Sequence, residues 1–314
     1  MKPKIRVGVV GVGHLGKEHA RIYHELPDTE LVGLADRDPS KKEKADQCQC
    51  SFFTEYRDLL GKVDAVSIAT PTGTHAEVAR EFLRSGIHTL IEKPITLKLE
   101  DADELIELAR GQKLIMHVGH IERHNPGLKR IGEIAKNIRF FEIHRLGPFT
   151  GRINDCGVVL DLMIHDLDIV MGLVKSEVAG FDAVGINVLT PFEDIANVRI
   201  KFANGAVANL TASRLTPEKQ RKIRIFQDDA YISLDYGEQS AKIFRKIGPM
   251  ITQEKVDIQK AEPLREELKF FISEIQSGQN KGRPDVAARD ALRFALEIVD
   301  RIQKNHPDAA SLHR

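Results

Sequence analysis

Apolar and polar positions follow two different rhythms along the chain, and the change falls near residue 120. Before it, short apolar, β-branched runs alternate with stretches of helical period. Strands are predicted at 5–10, 31–35, 51–53, 63–69, 88–91 and 114–118, with helices at 17–26, 39–47, 76–85 and 99–110 between them. Strands that alternate with helices build a parallel sheet covered on both faces. From residue 138 strands dominate, at 139–145, 178–189, 195–202, 206–213, 222–227, 230–235 and 242–247. Asn204-Gly205 between two of them signals a hairpin. One helix, 158–173, interrupts this half, and two more, 264–277 and 286–305, close the chain before a frayed tail, Pro307 to Arg314. The predicted class is α/β. A doubly wound parallel sheet over 1–120 precedes an α/β domain over 121–314 with an open, mostly antiparallel sheet. The last helices have the option of packing back on the first domain.

The first strand runs straight into Gly11-Val12-Gly13-His14-Leu15-Gly16 and then a helix. Strand, glycine turn and helix in that order read as a Rossmann dinucleotide site. Gly11 permits the turn, Gly13 lets backbone approach a pyrophosphate, and Gly16 lets helix pack on strand. The helix N-terminus offers N–H groups and partial positive charge to the phosphates. His14 and Leu15 share that turn and are cofactor-binding candidates. Asp36 ends the second strand, 20 residues after Gly16, where an acid bonds the adenine ribose. An acid there repels a 2′-phosphate and favours NAD; Arg37 beside it leaves NADP open.

Composition narrows the classes. The chain has 314 residues, enough for two domains, with 46 basic and 46 acidic side chains. That balance, without clustering, gives no basic patch for nucleic acid or an anionic membrane. No segment approaches a membrane helix, and the N-terminal apolar run is too short for a signal peptide. Cys48, Cys50 and Cys156 are too few for a disulfide framework, and Cys48-Gln49-Cys50 lacks a second pair for zinc, so no metal site is expected. The expectation is a cytoplasmic protein with reduced thiols.

Two stretches carry candidate chemistry. Ile91-Glu92-Lys93-Pro94 puts a lysine at the C-terminal end of a strand, where open α/β sheets bind ligands. A surface lysine ending a strand would look the same. In the interrupting helix, Asp161, His165 and Asp168 share one face, Asp166 points elsewhere, and the other faces are largely apolar. Such a polar stripe needs partners or a ligand. Oxidising a secondary alcohol with a nicotinamide requires a base near neutral pKa, which suits His165. Asp161 can bond the substrate hydroxyl or orient the ring, and Lys93 can stabilise developing alkoxide.

Gly11–Gly16, Ala69-Thr70-Pro71 with His75, Glu92-Lys93-Pro94, and Asp161, His165 and Asp168 in their spacing together resemble the Gfo/Idh/MocA oxidoreductase family. The resemblance implies that Thr70, Pro71 and His75 lie along the dinucleotide and that Glu92 and Lys93 flank its nicotinamide end. It implies Lys93, Asp161 and His165 as the catalytic set, and sheet-mediated homodimers or homotetramers. Asp155-Cys156-Gly157 departs from the glycine run common in relatives, which leaves substrate shape open. Residues 13–21 and 118–126 resemble the nucleotide-sugar branch, which includes enzymes that oxidise the 3-hydroxyl of UDP-N-acetylglucosamine for lipid A amino sugars. Arg123 and Asn125 are then substrate candidates, with Asp168; a turn capping the next helix is the alternative for the first two. An inositol or unactivated-sugar dehydrogenase, and a non-catalytic cofactor-sensing regulator, stay open.

Overall fold

A computed structural model describes residues 3–151, 155–280 and 284–305. The predicted tail, Pro307 to Arg314, lies outside them. The chain divides into two compact units. The first holds the described residues up to Ile121 and those of Leu264–Asp290; the second holds the described residues of Glu122–Pro263 and those from Ala291 to Asn305.

In the first unit, strands β1 (Ile5–Val10), β2 (Thr29–Ala35), β3 (Ser51–Phe53), β4 (Ala65–Ile68), β5 (His88–Ile91) and β6 (Met116–Val118) form one sheet in the order β3-β2-β1-β4-β5-β6. Every pairing is parallel. Helices α1 (Gly16–Glu25), α2 (Lys42–Gln47), α3 (His75–Arg84) and α4 (Leu99–Gly111) make the crossovers. The order reverses between β1 and β4, and such a switch point opens a crevice at the strands' C-terminal ends. Val7, Val9, Leu34, Ala65 and Leu90 from the sheet share a core with Ala20, Ile22 and Tyr23 of α1. Leu268, Phe271 and Ile272 of α7 (Pro263–Ser277) join it, so this late helix belongs to the first unit's core. His117 on β6 also meets Glu274 on α7 at 2.6 Å, both buried.

The second unit is built on β7 (Ile138–Leu146), β8 (Val178–Ile186), β9 (Ile195–Phe202), β10 (Val207–Ser213), β11 (Gln220–Gln227), β12 (Ala230–Asp235), β13 (Ser240–Ile247) and β14 (Met250–Val256). Their order is β14-β13-β12-β11-β7-β10-β9-β8, antiparallel except where β7 meets β10. Gly205, at φ +85°, turns the β9–β10 hairpin. Alternation sorts each strand's side chains onto two faces. Phe141, Ile225, Ile232 and Ile243 form a buried cross-strand row. One residue along lies a row of partly exposed rings, Phe140, Phe226, Tyr231 and Phe244, with neighbouring centroids 5.6, 4.8 and 5.3 Å apart. Helix α5 (Pro126–Ile134) packs on β12 and α6 (Ile164–Val174) on β7. From α8 (Pro284–Asn305), Phe294 stands edge-on to Phe181 of β8 at 5.2 Å.

Two elements depart from the sequence reading. Strand β14 is absent from it, because this edge strand is exposed along most of its length and shows no alternation. The helix expected over 158–173 is not uniform: Val159–Met163 form a wide π-type turn before α6.

Candidate active site

In the first unit the glycine turn is tight for steric reasons. A Cβ on Gly11, whose φ is +87°, would lie 2.6 Å from the Ala69 carbonyl oxygen, and one on Gly16 would lie 1.7 Å from that of Gly11. Nothing lies within 4 Å of a Cβ built on Gly13. Gly13 and His14 are exposed and Leu15 half-buried at the N-terminus of α1. That combination, a closed turn with one open position under a helix N-terminus, fits a pyrophosphate. Asp36 ends β2 and reaches back to the turn: Oδ2 accepts the Val12 N–H at 2.7 Å and Oδ1 the Asp38 N–H at 2.9 Å. Arg37 is exposed beside it.

The loops after β4 and β5 are held together by His75. Its Nε2 lies 2.9 Å from the Thr70 carbonyl oxygen and its Nδ1 3.0 Å from that of Pro94. The ring is 1 % exposed, so His75 ties Thr70-Pro71 to Lys93-Pro94 from within the fold. Burial pushes its pKa down, against the pull of both carbonyls. Thr70 Oγ1 also accepts from Thr74 Oγ1 at 2.8 Å. Lys93 is half-buried one residue beyond Glu92, which is buried. Burial alone would raise the Glu92 carboxyl; the bond from His19 and the charge of Lys93 outweigh it and hold the group below its ordinary range.

In the second unit the π-type turn carries Asp161, half-buried, and α6 carries His165 and Asp168, both buried. The turn's entrance is fixed from another part of the chain. Glu193 Oε1 accepts the Val159 N–H at 3.1 Å, and its main-chain carbonyl accepts the Val158 N–H at 2.9 Å. A Cβ on Gly157 would sit 2.0 Å from that carboxylate, so only glycine admits it.

Two substrate candidates bond each other. Arg123 Nε and Nη2 meet Asp168 Oδ2 and Oδ1 at 2.8 and 2.5 Å, a bidentate pair. Asn125 is 2 % exposed and caps α5: Oδ1 accepts the Gly127 N–H at 3.0 Å, and Nδ2 donates to Glu122 and to the Tyr236 carbonyl. Its side chain serves the fold, which is the capping alternative. Asp166, on another face, accepts both Nε and Nη2 of buried Arg145 at 2.9 Å. Arg145 also reaches Glu122 at 3.4 Å and lies 5.0 Å from the Tyr236 ring centroid.

His19, Glu193, Arg145 and Tyr236 were not singled out by the sequence. His19 left one trace, a histidine on the face of α1 that otherwise buries Gly16, Ala20 and Tyr23. The other three reach their partners across strands, and local spacing does not carry them.

The family model described as oxidoreductase family, NAD-binding Rossmann fold, matches residues 5–120, and the GFO/IDH/MocA C-terminal domain model matches residues 130–233. A UDP-N-acetylglucosamine 3-dehydrogenase of Acidithiobacillus ferrooxidans is 38% identical over 302 residues, 94% of this chain and 96% of its own. A solved structure of such an enzyme from that organism covers 96% of this chain and 99% of its own at 37% identity, with a TM-score of 0.90. A myo-inositol 2-dehydrogenase of Thermotoga maritima is 26% identical over 306 residues, 88% of this chain and 89% of its own. A levoglucosan dehydrogenase solved with NADH and levoglucosan shares the fold, with a TM-score of 0.86 at 20% identity, covering 96% of this chain and 98% of its own. With both domain models matched in order, and a relative this similar along nearly its whole length, the chain belongs to the Gfo/Idh/MocA oxidoreductase family and opens with that family's NAD-binding Rossmann domain.

Proposed function

We propose that the protein oxidises a ring hydroxyl of a sugar to a ketone, with the 3-hydroxyl of UDP-N-acetylglucosamine as substrate. The observation that carries the substrate is the 38% identity to a UDP-N-acetylglucosamine 3-dehydrogenase over 94% of the chain. A bound nicotinamide supplies the hydride acceptor. The chain supplies the rest: His165 takes the hydroxyl proton, Asp161 orients the ring or the hydroxyl, and the Lys93 ammonium stabilises negative charge developing on oxygen. Carbon loses a hydride, oxygen loses a proton, and a ketone remains. Asp36 at the adenosine end supports NAD over NADP. Arg123 and Asp168 act in this reading as a pair at the substrate, held together by the bidentate contact.

The 3-keto sugar suits a following transamination, as in lipid A amino-sugar synthesis, in the cytoplasm. A homodimer or homotetramer formed through the second unit's sheet fits the aromatic row on its exposed face. Among the described residues no helix is long and apolar enough to cross a membrane.

The test is absorbance of reduced nicotinamide, with NAD or NADP against UDP-N-acetylglucosamine, UDP-glucose, glucose and myo-inositol, and an aminotransferase present to draw off ketone. Turnover with the UDP-amino sugar alone is expected. Turnover only with myo-inositol or glucose would replace the substrate, and NADH binding without turnover would favour a sensor. Lys93→Ala is expected to lose at least about 10²-fold in kcat, with NADH affinity kept within a few fold; full turnover in that variant would remove the lysine from the mechanism.

A further inference from the structure

Beside Lys93 lies a carboxylate that the proposed chemistry does not use. Glu92 is 5 % exposed, and its partner His19 on α1 is 0 % exposed. Three segments converge on it. Oε1 lies 3.0 Å from His19 Nε2, and Oε2 accepts the Lys93 main-chain N–H at 3.2 Å. Gly119, just past β6, packs so close that a Cβ there would be 2.8 Å from Oε2. An ionised carboxylate only accepts, so the histidine donates through Nε2. Its Nδ1 has no partner among the described residues, which leaves the bond to Glu92 as the ring's directed contact. The ring itself is fixed edge-on to Tyr23 at 6.5 Å, whose hydroxyl meets Ser67 Oγ at 2.9 Å.

We infer that His19 is a positioning residue of the hydride-transfer site, holding the Glu92 carboxylate ionised and oriented so that it fixes the main chain and the charge surroundings of Lys93. This rests on the reading of Lys93 given above. The physical argument is that a carboxylate buried to this degree keeps its charge only while it is paired. Charged and titratable groups around it include His19 from α1, with Tyr23 edge-on to it, Lys93 next to it, His75 from α3, whose protonated form its charge favours, and buried His120 beside Gly119. Of these, His19 makes the side-chain hydrogen bond. Without that bond burial dominates, the carboxyl takes up a proton at higher pH, and the site loses a negative charge beside its lysine.

The experiment compares His19→Leu, His19→Gln, Glu92→Gln and the His19→Leu/Glu92→Gln double variant with wild type. It measures NADH affinity, kcat and KM on the UDP-amino sugar, and the pH profile of kcat/KM. His19→Leu is expected to lose about 10²-fold in kcat through misplacement of the lysine, with KM and NADH affinity within about threefold. Its acid limb moves to higher pH. His19→Gln keeps an N–H donor and is expected to recover most of kcat with the limb in place. The double variant is expected to be no worse than Glu92→Gln, since the histidine acts through that carboxylate. Wild-type kcat in His19→Leu, or losses that multiply in the double variant, would overturn the inference. So would a His19→Leu protein that has lost NADH binding while Glu92→Gln turns over normally, because His19 would then be serving the fold. A wild type inert towards every sugar would overturn the catalytic reading together with the inference. An active wild type with an unaffected His19→Leu overturns the inference alone.

Discussion

At the scale of single residues, the space around two glycines separates cofactor binding from folding. A Cβ on Gly13 meets nothing within 4 Å, so Gly13→Ala adds a methyl where the protein has room. Its stability is expected to stay within about 0.5 kcal/mol of wild type. The methyl occupies the one open position under the α1 N-terminus, so NADH affinity is expected to fall by about tenfold or more. A dye-monitored melt and a fluorescence titration check the two halves; unchanged affinity would move the pyrophosphate elsewhere. Gly119→Ala is expected to behave in the opposite way. Its methyl would lie 2.8–2.9 Å from Glu92 Oε2, Cδ and Oε1. That carboxylate is held by His19 and by the Lys93 N–H and is not free to swing aside. The fold is expected to lose about 1–3 kcal/mol, with kcat falling and NADH affinity kept, read by urea denaturation and steady-state kinetics. The tight turn at Gly11 and Gly16 was legible in the sequence because its glycines lie in one short stretch with a steric reason for each. The role of Gly119 was not, because its neighbour Glu92 lies on a different strand end.

At the scale of elements, adjacent carboxylates in the β8–β9 connection are pushed in opposite directions. Burial, reinforced by the charge of Asp194, holds the Glu193 carboxyl above its ordinary range, even as it accepts the Val159 N–H at the π-type turn. Asp194 is also buried, which by itself would raise it. Three main-chain N–H groups, of Val188, Leu189 and Thr190, and the Arg214 guanidinium outweigh burial and hold it at about 2. The signs follow from linkage. For Asp194 the unfolded chain binds the proton more readily, so its contribution is complete above the unfolded pKa and is lost as pH falls towards 2. That contribution is roughly 2–3 kcal/mol. For Glu193 the folded chain binds the proton more readily, so stability falls as pH rises through its raised range. Asp194→Asn is expected to be less stable at neutral pH and to vary less between about pH 4 and 2; Glu193→Gln is expected to remove part of the decline on the alkaline side. Urea denaturation across pH checks both, and parallel curves for wild type and variant would refute the assignment. These elements also mark where sequence reading stops. Period and turn chemistry gave most strands and helices to within a few residues, because burial of one face imposes that period. The π-type turn is fixed by Glu193, 34 residues away in sequence, and the Arg123–Asp168 pair spans 45. Both are tertiary contacts that no local pattern encodes. Strand β14 escaped because an exposed edge imposes no alternation.

At the scale of the whole molecule, the chain carries equal numbers of basic and acidic side chains, 46 each, so long-range charge neither drives nor opposes self-association. What stands out instead is one face of the second unit's sheet. Its aromatic row runs across β7, β11, β12 and β13, and Phe226 is 38 % exposed. Cross-strand stacking accounts for the rings' contact with one another but leaves their outer surfaces towards water. The row one residue along is buried, so the exposed rings are not needed to close that core. A charge placed in the row should therefore act on association and spare the fold. Tyr231→Glu sits mid-row, between Phe226 and Phe244. If a second copy covers this face, burying a carboxylate there is expected to cost at least about 2 kcal/mol, roughly 30-fold in the dissociation constant. Sedimentation velocity over a dilution series should show the wild type as a dimer or tetramer and the variant shifted to a smaller species, with an unchanged circular-dichroism spectrum and NADH affinity. The same sedimentation coefficient for both, whether monomer or oligomer, would detach the aromatic row from assembly and leave cross-strand stacking as its whole role.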